Sequence, residues 1–274
     1  MARQLGHVKY KGTIGDIRHF KIKGMTGNFA GLNGGASADQ IKNDAAFVRT
    51  RENNNEFAGC AHAGRSVRVG LNMLMKQMSD AQLTGRLLAI MKKINLEDQS
   101  EARGYRAILI STQSKYLQGL NFNRNSNFES SFLAPVGLTS SETRESSTME
   151  VAPFNPSKMV IAPAGATHFR LINAVSVISD FAYNATTGIY EPIEPTLNEL
   201  SNVAYSDYLD LNAEITTPTV IESTLPGSPE ITANVTVLNS IGIEFYQKAG
   251  LGFYLLNTGH ALKIQKVENP IVVF

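Results

Sequence analysis

Hydrophobic and polar positions change period twice along the 274-residue chain. In residues 1–36 the pattern is short and two-fold. Ile17, His19, Lys21 and Lys23 alternate with Arg18, Phe20 and Ile22, which gives one partly apolar and one basic face, as in a half-buried strand. A second short run lies at residues 7–11, and Thr13-Ile14-Gly15-Asp16 supplies turn chemistry between the two. The pattern predicts a small hairpin or two extended arms. A lone two-stranded hairpin is marginal in water, so this segment needs something to dock on.

Residues 37–98 switch to a helical period. Ser37, Asp39 and Asp44 are placed to cap short helices. Phe57, Cys60, Gly64, Val67, Leu71, Leu74 and Met78 then recur every three or four residues, as on an amphipathic helix. Ala58, Ala61, Ala63 and Gly64 make the early stripe small enough for another backbone to approach closely. Ser79-Asp80 interrupts the run. Leu83, Leu87, Ile90, Met91 and Ile94 define a second helix whose end carries Lys92 and Lys93, on the side that suits its dipole. An αα-hairpin follows.

Beyond residue 102 the period returns to two. Residues 105–110, 117–122, 149–154, 159–161, 168–181, 208–216, 219–222, 235–247, 253–256 and 261–267 read as strands, divided by Pro, Gly and Asn turns. Residues 139–150, rich in Ser, Thr and Glu, read as an exposed loop. The predicted fold class is α+β: a glycine-rich β-arm or hairpin (1–36), a helical hairpin (37–101), and an antiparallel β-sandwich, Ig-like or jelly-roll-like (102–274).

Composition narrows the functional classes. A hydrophobic content of 43% with 18% charged residues is globular. One cysteine excludes an intrachain disulfide framework and a multi-cysteine zinc site. The longest apolar runs, residues 159–163 and 271–274, fall far short of the ~20 residues of a membrane helix. The first residues lack an apolar signal core, so the expectation is synthesis in the cytoplasm without a signal peptide. The formal charge of +1 conceals a gradient: residues 1–100 hold 15 Lys/Arg against 8 Asp/Glu, a net +7, and the remainder is −6. Such polarity suits an anionic partner for the front half, or head-to-tail contacts between copies.

Two groups of residues resemble a family of uncharacterised proteins in Bacteroidota genomes. One comprises Lys9-Tyr10-Lys11-Gly12-Thr13-Ile14-Gly15 and Ile41-Lys42-Asn43-Asp44 with Arg49-Thr50-Arg51-Glu52-Asn53. The other comprises Ala162-Pro163-Ala164-Gly165-Ala166-Thr167-His168-Phe169 and Gly242-Ile243-Glu244-Phe245-Tyr246-Gln247. The resemblance covers most of the chain. It implies a host group and a recurring ordered protein, and it carries no reaction.

Candidate chemistry is sparse. The histidines His7, His19, His62, His168 and His260 show no metal-ligand spacing. Cys60 and His62 are too close on a helix to face each other. The glycine-rich opening matches no phosphate-loop pattern, although Gly34-Gly35-Ala36-Ser37 precedes a helix. Asp207, Asp210 and Glu214 lack the ligand order of a calcium loop and read as a solvated acidic surface. No catalytic, cofactor or metal site is expected, and no enzyme activity.

The reading that follows is a structural subunit that self-assembles into a filament or a phage-like (virion-like) particle, with copies of itself as partners. Its expected contacts are Tyr10, Ile14, Phe20 and Ile22 in the arm and Val272 and Phe274 at the apolar tail. A nucleic-acid-associated protein is the alternative, with Arg49, Arg65 and Arg68 as candidate anion contacts. A second alternative is a sandwich that binds sugar or peptide on Tyr183, Tyr190, Tyr205 and Tyr208.

Overall fold

The computed structural model describes residues 1–32 and 34–269. The chain forms two compact units, Met1–Arg51 and Glu52–Phe274. It is an α+β protein whose C-terminal part is built from antiparallel sheets.

In the first unit, β1 (Ala2–Arg3), β2 (Gly12–Ile14), β3 (Ile17–Phe20) and β4 (Phe29–Leu32) form a four-stranded antiparallel sheet in the order β1-β4-β3-β2. The expected hairpin is β2–β3, turned by Gly15 at φ +56°. Residues 7–11, expected as a strand, lie outside it. The pairing starts at Gly12, and Tyr10 instead bonds through its amide to the Gln4 side chain. The sheet leads into α1 (Ala38–Asn43). Ser37 caps α1 by accepting from the Gln40 amide, and the Gln40 side chain accepts from the Ser37 amide. This reciprocal box satisfies two donors that a helix start otherwise leaves open. Asp44 then accepts from the Ala46 amide.

The boundary between the units falls inside α2 (Val48–Gly70). With α3 (Asn72–Met78) and α4 (Leu83–Glu97), α2 forms the helical layer of the second unit. The small residues do what their size allows. Gly64 rests against Leu87 of α4, and a Cβ on Gly59 would lie 2.4 Å from the Tyr190 ring. Phe57, assigned to the apolar stripe, points to solvent, and Glu56 is buried in its place.

After the helices come β5 (Gly137–Ser140), β6 (Ser146–Val151), β7 (His168–Ser179), β8 (Phe181–Asn184), β9 (Ile189–Pro192), β10 (Ser201–Tyr205), β11 (Leu209–Asp210), β12 (Thr219–Thr224), β13 (Val235–Ala249), β14 (Gly252–Leu255) and β15 (Ala261–Glu268). The long strands β7 and β13 pair along twelve residues and form the middle of a six-stranded sheet with β10, β11, β14 and β15. The sheet is buried on both faces, and its side chains divide by parity. Ile172, Ala174, Ile178 and Leu238 join the core formed with Val67, Leu71, Leu87 and Met91 of the helices. Phe169, Leu171, Ile241, Ile243 and Phe245 join Met149, Val151 and Ile221 of a second, three-stranded sheet ordered β12-β6-β5. The second unit is therefore layered as helices, long sheet and short sheet. Its boundary lies at residue 52 rather than at 36 or 101, because α2 to α4 share one core with the sheet.

Three sequence expectations fail here for one physical reason, which is pairing. Residues 105–110 and 117–122 are apolar but find only isolated bridges, Ile108 to Phe181 and Asn121 to Lys263. They run as irregular and 3₁₀ segments that bury Ile108, Ile110, Leu117 and Phe122. Residues 139–150 are no loop. They carry the end of β5, the turn and most of β6, with Ser147 and Met149 turned inward. The Ser147 hydroxyl donates to Asn173 Oδ1 at 3.0 Å and removes the cost of burying it. Val272 and Phe274 lie outside the described residues. No described helix is long and apolar enough to cross a membrane.

Candidate functional site

The arm sheet has two unlike faces. Directly paired residues share a face, so the register sorts them. Ile14 pairs with Ile17, and Ile17 with Leu32, which sets three aliphatic side chains in a row across β2, β3 and β4. They are 56%, 45% and 83% exposed. Thr13, Arg18 and Gly31 form the row on the other face, followed by Phe20 paired with Phe29, which in turn pairs with Arg3. Phe29 is the one buried apolar side chain among the described residues of this unit. Phe20 is half-buried against it, with ring centroids 6.3 Å apart. Of the arm residues singled out from sequence, Tyr10 and Ile14 are exposed, whereas Phe20 and Ile22 are half-buried. Ile17 and Leu32 were not singled out from sequence. The register that aligns them with Ile14 is a property of the four-stranded sheet and not of any one strand.

The candidate anion contacts are divided between the two units. Arg49 belongs to the first unit. In the second, Arg65 is exposed and Arg68 half-buried, one helical turn apart on α2.

Several buried polar groups in the second unit are paired within it. Glu56 accepts from Lys92 Nζ at 2.5 Å, from Arg106 Nε at 2.8 Å and from the Gly104 amide at 2.8 Å. Burial pushes its carboxyl up, but the bonds from Lys92, Gly104 and Arg106 prevail and hold it below the usual carboxylate range. Lys92, assigned to the helix dipole, serves this anion instead. Cys60 is fully buried one turn away, and burial pushes its thiol up to about 12. His62 is exposed and directs Nδ1 to the Tyr190 carbonyl at 3.3 Å.

His168 sits at the start of β7 with Nδ1 3.0 Å from the Thr167 hydroxyl and Nε2 4.0 Å from Asp210. Asp207 and Glu214 are exposed, and among the described residues no three His, Cys, Asp or Glu side chains form a metal-holding group. His260 is buried; its Nδ1 accepts from the Phe245 amide and its Nε2 donates to the Leu256 carbonyl, which fixes the tautomer. The four tyrosines weighed as a platform separate into two clusters. Tyr183 and Tyr190 meet edge to face, with Tyr190 buried. Tyr205 and Tyr208 flank the Arg170 guanidinium at 4.4 and 4.9 Å, and Tyr208 stacks on Phe253 at 3.9 Å.

No family model matches the chain, no curated protein is similar to it, and no solved structure matches it.

Proposed function

We propose that the protein is a non-enzymatic structural subunit that self-associates through the arm sheet of residues 1–51, as the building block of a filament or particle. The observation that carries this reading is the aliphatic row Ile14–Ile17–Leu32, open to solvent on a sheet that buries a single apolar side chain. Sheets are stable when an apolar face is covered, and two sheets packed face to face at about 10 Å are the simplest way to cover it. A second copy presents the same row, so a two-fold contact is self-complementary. The charge distribution extends the reading past a dimer. Residues 1–51 hold nine Lys/Arg against three Asp/Glu, a formal +6, and residues 52–274 hold sixteen against twenty-one, a formal −5. Unlike units on neighbouring copies attract.

Light scattering coupled to size exclusion tests the reading. The full chain is expected to exceed monomer mass at micromolar concentration. A chain lacking residues 1–36 is expected to elute as a monomer with its β-sheet circular dichroism retained. A full-length monomer at all concentrations, with no particles or filaments in negative stain, refutes it.

A further inference from the structure

We infer that the open end of the β2–β3 hairpin is a binding site for a single-stranded phosphodiester chain. A concavity of about 570 Å³ lies there, lined by Lys11, Arg18, His19, Phe20 and Lys21 beside Gly12 and Thr13. All three cations are exposed. Among the described residues none of them has a carboxylate within ion-pair distance. The carboxylates of this unit are engaged or displaced: Asp39 accepts from Asn43, Asp44 from the Ala46 amide, and Asp16 occupies the turn at the opposite end of the hairpin. Positive charge gathered without local compensation is the footprint of an anionic ligand.

One further feature selects the class of anion: the site is aromatic. The Arg18 guanidinium lies 5.4 Å from the Phe20 ring centroid, and Tyr10, half exposed, tilts against His19 at 5.6 Å. Cations that track a backbone, beside rings on which unpaired bases stack, describe single-strand recognition; a duplex keeps its base faces hidden. A free phosphate would use the cations and leave the rings idle.

The test is fluorescence anisotropy of the full-length protein with labelled twelve-nucleotide oligothymidylate, and with a duplex of the same length, between 25 and 300 mM NaCl. The single strand is expected to bind more tightly than the duplex, with affinity falling steeply with salt. The triple variant Lys11→Gln, Arg18→Gln, Lys21→Gln is expected to flatten the logarithmic salt slope by about 2, at roughly 0.7 per phosphate contact. Phe20→Leu, which keeps an apolar group against Phe29, is expected to weaken binding about tenfold and leave the slope unchanged. Absence of binding at 25 mM NaCl overturns the inference, as does a triple variant that binds like the parent. Equal binding of duplex and single strand, unaffected by Phe20→Leu, overturns the single-strand assignment. Loss of self-association in the triple variant of a protein that binds no oligonucleotide assigns the cations to contacts between copies, and also overturns it.

Discussion

Leu32 offers a direct test of the arm contact, because its side chain is 83% exposed on the chain itself. Replacing it should cost the fold almost nothing, since substitutions at exposed positions fall within about 0.5 kcal/mol. In the proposed assembly the same side chain is covered. Burying a leucine stabilises by about 1.5–3 kcal/mol, and four-fifths of that is about 2 kcal/mol per copy. A two-fold contact counts the residue twice, so Leu32→Asp should cost at least about 4 kcal/mol, a rise in dissociation constant of about a thousandfold. Desolvating the new carboxylates adds to that penalty. Sedimentation velocity over a hundredfold concentration range reads the effect. The parent should shift toward larger species, and Leu32→Asp should remain monomeric. Met25→Asp serves as the control, because Met25 is also exposed but lies outside the paired row. An unchanged association curve for Leu32→Asp, or an equal loss from Met25→Asp, refutes the face-to-face contact.

Other consequences concern the second unit. Gly59→Ala should destabilise by roughly 2 kcal/mol in urea melts, because its Cβ would meet the Tyr190 ring at 2.4 Å. Gly85→Ala on α4 meets nothing within 4 Å and should stabilise by about 1 kcal/mol through helix propensity alone. Glu56→Ala leaves Lys92 and Arg106 facing an empty site and should cost about 3–5 kcal/mol, whereas a loss below 1 kcal/mol would contradict the bonding described. Asp180 is buried, and burial pushes its carboxyl up to about 6 against the bonds donated by Ser111 and Ile110. The folded state therefore binds this proton more readily than the unfolded one. Its contribution should be fully present below the ordinary carboxyl value of 3.8 and lost as pH rises through 6, by up to about 3 kcal/mol. The urea midpoint of the parent relative to Asp180→Asn should rise between pH 7 and 4.

The sequence by itself determined the elements whose pattern is local. The 3.6-residue stripe of α2 to α4, the caps at Ser37 and Asp44, the glycine turn at Gly15 and the long apolar runs of β7 and β13 each follow from neighbouring residues. So does the charge asymmetry. Tertiary structure decided whatever depends on a partner distant in sequence. Ser147 and Met149 became strand because β5 and β12 flank them, while the equally apolar Ile108 and Phe122 stayed irregular because they gained single bridges. Glu56 displaced Phe57 from the interior because Lys92 and Arg106, 36 and 50 residues away, neutralise it. The aliphatic row of the arm is legible at Ile14 alone; Ile17 and Leu32 join it only through the β2–β3 and β3–β4 registers. Period and propensity act over a few residues, whereas pairing and charge compensation act through space, and the candidate interface of this protein belongs to the second kind.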